Sequence, residues 1–196
     1  MKTKNQIMGT LIIKGAFACF LTMGLASCSN SNKPEDTKEV AEDHNDAKFD
    51  NAKEKDAQFL VDAAEINLEE IQLSQLAQSQ STSDDVKELA KIIEDDHNKS
   101  MNELQTLAAS KMVTLPSSPS KDGQDAYTKL MNESGNDFDK KFTTMMVDGH
   151  KDAISKFEKA STDCQDTDVR NWASKTLPAL RTHLDHAMNC QNMHKS

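Results

Sequence analysis

The amino-acid sequence predicts an all-α protein, an antiparallel four-helix bundle with a short extra helix in the connection between the second and third main helices. Apolar residues recur at spacings of three and four along four long segments, which is the period of one face of an α-helix. The sequence contains no strand-like alternation and no Gly-rich phosphate loop. Serine, proline and aspartate residues separate the four segments, so each segment is expected to form its own helix.

The N-terminus has the pattern of a bacterial lipoprotein signal peptide over residues 1–27. Lys2, Lys4 and Lys14 accompany a short apolar stretch that ends in Leu25-Ala26-Ser27-Cys28. This ending resembles a lipobox, in which the cysteine is acylated after cleavage, so we expect a lipid on Cys28 to anchor the protein to a membrane. An ordinary signal peptide and an N-terminal anchor helix are the alternatives.

Residues 28–50 are expected to form a disordered tether between the lipid and the folded domain. They include Pro34 and many acidic residues but almost no apolar residues, so they cannot bury enough surface to fold. Removal of the three lysines of the signal peptide shifts the formal net charge from −9 to about −12. This charge argues against a nucleic-acid partner, because phosphates are bound by basic surfaces. The membrane is therefore the partner that the sequence indicates, and no protein partner can be named.

Residues 51–196 are expected to form one helical domain. Its main helices are predicted over residues 51–80, over 84–111, from about 137 onward, and from 166 or 168 to about 192, with the short helix over 121–132. Ser83 is the predicted N-cap of the second helix, and Asp137 that of the third. Short loops make the first and second helices antiparallel, and likewise the third and fourth; the longer middle connection allows an up-down bundle or a crossover.

Each main helix carries one titratable residue in or beside its apolar face, and these are Glu70, His97, His150 and His183. Counted from the helix ends at the two short loops, their depths are roughly 15, 20, 15 and 22 Å. The count assumes that both short loops lie at the same end of the bundle. We therefore expect the four side chains in one core layer, which forms either a metal site or a hydrogen-bonded polar network.

Glu94 is a candidate additional ligand because it precedes His97 by three residues. Carboxylate-bridged di-metal bundles use such a Glu-x-x-His motif on two helices. The positions three residues before His150 and His183 hold valine and leucine, so a ferritin-type di-iron centre is not expected. What remains is a mononuclear site of three imidazoles and one or two carboxylates, a donor set compatible with zinc, iron, manganese or copper.

A second set of candidate ligands lies near the C-terminus. His186, Cys190 and His194 are four residues apart, so they would share a helix face and suit copper or zinc. A frayed polar helix end is the alternative. Cys164 and Cys190 are predicted to form no disulfide with each other, because the fourth helix separates them by roughly 33 Å and a disulfide needs Cα atoms within about 7 Å. Free thiols, pairing between molecules and a ligand role stay open.

Several short segments together resemble a known family in their order and spacing. They are Phe59-Leu60 with Ala63-Ala64 and Glu70, Asp96-His97, Val113-Thr114-Leu115-Pro116, Phe138-Asp139 with His150, and Leu177-Pro178-Ala179-Leu180-Arg181-Thr182-His183. They are similar to the bacterial envelope proteins grouped as domain of unknown function 4142, often labelled predicted outer-membrane proteins. The resemblance implies a ferritin-like bundle, a location in the cell envelope, and Glu70, His97, His150 and His183 as family positions. It implies no substrate.

Three functions are compatible with these observations. A lipid-anchored protein of the outer membrane, periplasmic or surface-exposed, would hold one transition-metal ion for storage, scavenging or protection from metal or oxidative stress. A non-enzymatic structural or interaction module would use the polar layer only to set the register of the helices. A metal-dependent oxidase is the third, but the sequence shows no catalytic triad and no substrate channel, so it favours a binding protein over an enzyme.

Overall fold

The computed structural model describes residues 35–194, and this part of the chain is an all-helical bundle. Its helices are α1 (Thr37–Asp46), α2 (Asn51–Gln80), α3 (Asp84–Lys111), α4 (Lys121–Met131), α5 (Gly135–Asp163) and α6 (Thr167–Met193). No strand occurs within residues 35–194. The predicted helical class is therefore confirmed, and α2 and α3 have the predicted bounds.

Side-chain caps explain where several of the helices begin. The Ser83 hydroxyl accepts a hydrogen bond from the backbone N–H of Val86, as predicted. The Asp166 carboxylate accepts from the N–H of Val169 in the first turn of α6. Such caps satisfy N–H groups that have no partner within the helix. Asp137 is not a cap, because α5 already begins at Gly135, whose φ of +56° suits a residue without a side chain.

Hydrogen bonds between the loops and the helix ends determine the direction of the long helices. Ser81, between α2 and α3, donates to the Asp139 carboxylate near the start of α5 at 2.5 Å. Asp56, near the start of α2, accepts from the N–H groups of Gln165 and Asp166 between α5 and α6, at 2.9 and 2.7 Å. Helices α2 and α5 are therefore antiparallel. Because α2–α3 and α5–α6 are helical hairpins, α3 and α5 run in the same direction, and the connection that contains α4 crosses from one end of the bundle to the other.

The two short loops consequently lie at opposite ends of the bundle, so the assumption behind the predicted depths is wrong. The four titratable residues still share a layer because each lies near the middle of its helix. Measured from the end that holds Ser81, Glu70 lies roughly 15 Å deep, His97 20 Å, His150 22 Å and His183 15 Å.

This layer lies between two apolar clusters in the interior. The first cluster lies at the end of the α5–α6 loop, and its larger members include Phe59, Leu104, Phe157 and Trp172. The second lies at the end of the α2–α3 loop and includes Leu73, Ile93, Phe142 and Met146. Burial of these side chains stabilises the bundle, because each large apolar side chain removed from water contributes about 1.5–3 kcal/mol.

The two cysteines belong to different clusters. Cys164 is buried in the first cluster and Cys190 in the second, and both are free thiols. The prediction that they do not pair with each other is confirmed.

Helix α1 shows that residues 37–46, within the predicted disordered tether of residues 28–50, are helical, whereas residues 28–34 lie outside the described residues. Asn45 is buried; its side-chain amide donates to the carbonyl of Thr114 at 2.9 Å, and its side-chain oxygen accepts from the N–H of Thr114 at 2.8 Å. The Asp36 carboxylate accepts from the N–H of Lys121 at 2.7 Å. The composition argument counted only apolar residues, whereas α1 is held largely by polar side chains that bind the backbone of a distant loop.

The predicted signal peptide over residues 1–27 and the predicted lipid site at Cys28 lie outside the described residues, so both stay predictions. None of the helices within residues 35–194 combines the length and the apolar character that crossing a membrane requires.

Candidate metal centre

Four side chains, one from each long helix, meet in the polar layer at the middle of the bundle. Helix α2 contributes Glu70, α3 contributes His97, α5 contributes His150 and α6 contributes His183. All four are buried, with exposed fractions of 5, 3, 0 and 1 %. The prediction that they lie together in the core is confirmed, and their role as metal ligands stays a prediction.

The inward-facing atoms have the separations expected for ligands of one ion. Glu70 Oε2 lies 2.9 Å from His97 Nε2 and 3.4 Å from His150 Nε2. His150 Nε2 lies 3.2 Å from His183 Nδ1. One ring nitrogen from each histidine lies within 4.8 Å of the corresponding atoms of the other two. Ligands about 2.1 Å from a tetrahedral ion are roughly 3.4 Å apart, so these atoms fit a single ion with small movements.

Outward-facing hydrogen bonds orient the rings of His150 and His183. His150 Nδ1 donates to the Met146 carbonyl at 2.9 Å, within the same helix. His183 Nε2 donates to Asp96 Oδ2 on α3, also at 2.9 Å. A carbonyl or a carboxylate oxygen can only accept, so each neutral imidazole carries its proton on this outward nitrogen.

His97 is held in the same manner by a side-chain amide. Its Nδ1 donates to Asn67 Oδ1 at 3.0 Å, and the Asn67 amide nitrogen donates to the Ala63 carbonyl at 2.9 Å. The second bond sets the orientation of the amide and leaves its oxygen facing the ring. The inner Nε2 of His97 therefore faces the centre of the layer, as the inner nitrogens of the other two histidines do.

The centre of the layer thus collects acceptor atoms from several helices. Lone pairs of the His150 and His183 imidazoles converge there with the Glu70 carboxylate, and neither Glu70 Oε2 nor His97 Nε2 forms a hydrogen bond within the described residues. Buried acceptors that face one another are unfavourable unless a cation or additional protons lie between them. The arrangement is therefore suited to binding a positively charged species.

Burial controls the charge of these groups. It is the main cause that lowers the pKa of His150 below its ordinary value, and it lowers the pKa of His183 to about 4 although Asp96 acts in the opposite direction. Burial raises the pKa of Glu70, but the imidazoles of His150 and His97 more than offset this and hold it below its ordinary value. At neutral pH the layer holds an ionised carboxylate facing neutral imidazoles of His150 and His183, which is the state that binds metal ions.

Glu94 does not belong to this layer, which corrects its prediction as a ligand. Its carboxylate accepts hydrogen bonds from the side chains of Gln75 at 2.8 Å and Gln78 at 2.6 Å, on the side of α3 that faces α2. Residues three apart on a helix differ by roughly 60° in direction. The sequence therefore made Glu94 a candidate ligand, because its side chain points in nearly the same direction as that of His97. The hydrogen bonds from the two glutamines hold the Glu94 carboxylate outside the layer.

Asp96 and Asn67 are site residues that the sequence analysis did not identify. Asp96 is half-exposed, and its neighbour Asp95 offers the same chemistry, so only the position of α6 shows which carboxylate reaches His183. Asn67 could have been predicted from the sequence, because it lies three residues before Glu70 on the same inward face of α2. Partners of this kind orient metal-binding histidines and increase their basicity.

The C-terminal residues do not form the second metal site that their spacing suggested. His186 is exposed, Cys190 is buried with its thiol directed to the Asp85 carbonyl at 3.7 Å, and His194 Nδ1 lies 3.3 Å from Asn136 Oδ1. Within residues 35–194, the group of three histidines in the core is the one set of His, Cys, Asp or Glu side chains with the spacing of a metal site.

Two openings that are lined by described residues lead from the surface to the layer. A cavity of about 100 Å³, lined mainly by α3 and α6, reaches His97 and His183. A second cavity, of about 280 Å³ between α2 and α5, reaches Glu70 beside Gly149. Glu69 lines this second cavity, and burial, together with the neighbouring carboxylates, raises the pKa of Glu69 to about 7.

The fold and the layer together define a class of all-helical bundle proteins with a buried glutamate and histidine cluster. A family model described as "Domain of unknown function (DUF4142)" matches residues 40–190, which is most of the chain. The chain belongs to this family, as the resemblance of its short segments indicated. A comparison with curated proteins found no match, and a comparison with solved structures found none.

Proposed function

We propose that this protein is a lipid-anchored protein of the cell envelope that binds one transition-metal ion through Glu70, His97, His150 and His183. The observation that carries the proposal is the convergence of four potential acceptor atoms, one from each long helix, at separations that suit a single ion. A cation at the centre would replace repulsion between these acceptors with four favourable contacts.

The chemistry of the donor atoms narrows the class of ion. Three imidazole nitrogens and one carboxylate oxygen suit zinc, iron, manganese or copper, whereas calcium and magnesium prefer oxygen ligands alone. The outward partners of the rings, which are the Met146 carbonyl, the Asp96 carboxylate and the Asn67 amide, are of the kind that supports metal-bound histidines.

The helix contacts support a ferritin-like four-helix arrangement. Helix α2 packs against α3 and α5, and α6 packs against the same two helices, so the four long helices form a closed ring of neighbours. The crossover between α3 and α5 is the type of connection that ferritin-like folds have. The single Glu70 and the absence of a second Glu-x-x-His motif from the sequence favour one ion over a di-iron centre.

The envelope location has its support in the sequence. Residues 25–28 resemble a lipobox, and the negative net charge of the remaining chain argues against a nucleic-acid partner. A metal site in such a protein would serve the storage or scavenging of a metal, or protection from metal or oxidative stress.

Elemental analysis of the full chain, purified without a histidine tag from metal-supplemented cells, tests the proposal. We expect about one equivalent of a transition metal in the wild type and a loss of most of it in His150→Leu and Glu70→Gln. His186→Leu is the matched control, because this exposed histidine of α6 lies outside the layer and its removal should change nothing. A folded His150→Leu variant with unchanged metal content would refute the core site.

A structural or interaction module is the second candidate. The observation in its favour is that every imidazole of the layer has a hydrogen-bond partner in the protein, so added protons instead of a metal could hold the layer together. Under this function the folded wild type contains no metal, and His97→Leu changes the stability alone. Oxygen consumption on addition of ferrous iron would instead indicate an oxidase.

A further inference from the structure

We propose that the groove between α2 and α5 is the route by which a divalent transition-metal cation reaches the central site, with the Glu69 carboxylate as its first ligand. The inference rests on the proposed function, because it concerns the same metal site. It assigns a role to residues outside the layer, and it names the side of the bundle from which the ion enters.

The groove is rich in carboxylates. Its cavity of about 280 Å³ is lined by five acidic side chains and two lysines, which are Asp62, Glu65, Glu69, Glu70 and Asp152 with Lys38 and Lys156. A cleft lined by charges of one sign concentrates ions of the opposite sign and increases their association rate by 10 to 10³. The groove therefore attracts cations towards Glu70.

Two of these acids are already engaged in holding the fold. Asp62 forms ion pairs with Lys38 at 2.9 Å and with Lys156 at 3.8 Å. Glu65 accepts hydrogen bonds from the N–H of Ser120, at 2.8 and 3.1 Å. These contacts leave Glu69, Glu70 and Asp152 as the carboxylates that can receive an arriving ion.

Glu69 and Glu70 form a stepwise path from the surface to the core. Glu69 is half-buried and has no ion pair or hydrogen bond within the described residues, whereas Glu70 is almost completely buried. Glu70 Oε2 lacks a hydrogen-bond partner and lies 2.9 and 3.4 Å from the inner nitrogens of His97 and His150. An ion held first by Glu69 would thus meet an unpartnered carboxylate that already faces the histidines.

Gly149 keeps the groove open at the depth of Glu70. A Cβ atom at this position would lie 3.2 Å from Glu70 Oε1, closer than most real contacts of this kind. Glycine weakens the interior of a helix, so its presence in α5 is explained by the space that it leaves.

The opening on the side of α3 and α6 is less suited to an ion. Its cavity is smaller, about 100 Å³, and much of its wall is apolar, including Ile66, Phe157 and Leu180. It reaches the side of the layer on which His97 and His183 are already hydrogen-bonded to their outer partners.

Stopped-flow absorbance of Co²⁺ binding to the metal-free full chain tests the route. We expect Glu69→Gln to lower the association rate about tenfold at low ionic strength, and to lower the release rate by a similar factor, because the ion leaves along the same path. The difference should shrink in 1 M salt, where charges are screened beyond about 3 Å. Gly149→Ala should also slow binding, because its Cβ narrows the groove.

Two control variants separate the route from general effects. Asp148→Asn removes an exposed carboxylate of α5 next to Gly149 that does not line the groove, and Ala179→Leu fills the opening between α3 and α6. Both should bind Co²⁺ at the wild-type rate.

Each contrary outcome has a distinct meaning. Wild-type rates in both Glu69→Gln and Gly149→Ala, with one equivalent of Co²⁺ bound, would refute the route and leave the metal site intact. Slow binding in Ala179→Leu alone would place the route at the other opening and refute this one. No Co²⁺ binding by the folded wild type would refute the route and the proposed function together.

Discussion

Acidification from pH 7 to pH 5 should reduce the contribution of His183 to the stability of the metal-free protein, whereas Glu69, whose pKa is raised to about 7, acts in the opposite direction. Burial lowers the pKa of His183 from 6.5 to about 4 in the folded protein. The unfolded chain exposes this imidazole and binds a proton near pH 6.5. Between these two pKa values the unfolded state holds more protons than the folded state, so the free energy of unfolding falls as the pH falls.

The size of the effect follows from the pKa shift. A difference of about 2.5 pKa units corresponds to about 3 kcal/mol of the free energy of unfolding, at 1.36 kcal/mol per unit. This contribution is fully present above pH 6.5 and is lost by about pH 4. The part lost between pH 6.5 and pH 5 is about 2 kcal/mol. His150 acts in the same direction, because burial lowers its pKa as well. Total stabilities are typically about 5–15 kcal/mol, so the change is large enough to measure.

Urea unfolding followed by circular dichroism, with a chelator present, measures this dependence. Wild type and His183→Leu would be compared at several pH values between 7.5 and 5, a range in which ordinary carboxyl groups change little. We expect the stability of His183→Leu to decline by about 2 kcal/mol less than that of the wild type. His186→Leu, an exposed histidine three residues further along α6, should follow the wild type.

Equal pH dependence in wild type and His183→Leu would refute the reasoning. It would mean that His183 titrates with an ordinary pKa in the folded protein. The description of His183 as a neutral imidazole in the layer would then be wrong.

Three further predictions concern the rest of the molecule. Asn45→Ala should lower the free energy of unfolding by about 2 kcal/mol, because it removes the two hydrogen bonds that the buried Asn45 side chain forms with Thr114. It should also speed the hydrogen exchange of residues 37–46, and unchanged exchange would contradict the docking of α1. Cys164 and Cys190 should react slowly with iodoacetamide in the native state, because both thiols are buried. Burial also raises the pKa of each thiol, that of Cys164 to about 12. Fast alkylation, detected by mass spectrometry, would contradict this prediction. Zn²⁺ at a hundred times its dissociation constant should stabilise the protein by about 2.7 kcal/mol, seen as a higher melting temperature that Glu70→Gln does not show.

The helices could be predicted closely because local signals determine them. Ser81-Thr82-Ser83 ends one helix and caps the next, and α2 and α3 have the bounds that the periodic apolar residues indicated. The four members of the layer were also predictable, since each interrupts the apolar face of a helix near its middle. A residue in the middle of a long helix lies at nearly the same depth from either end. The wrong assumption about the loops therefore did not change the prediction that the four residues share one layer.

The errors arose where a contact joins residues distant in the sequence. Helix α1 forms because Asn45 binds the backbone of Thr114, a partner that composition cannot reveal. Glu94 was placed in the site by spacing, but glutamines of α2 hold it outside. Asp96 was missed because nothing in its own segment shows that α6 brings His183 within 2.9 Å.

The sequence by itself determined the helical class, the positions of the long helices and the set of side chains that enter the core. These properties depend on the period of apolar residues and on caps a few positions apart, which are local in the chain. Only the tertiary structure decided the direction of each helix and which carboxylates face the histidines. It also decided which nitrogen of each ring faces the centre, and where the two cavities adjoin the layer. Those properties depend on pairs of groups on different helices, whose distances follow from the packing of the whole bundle.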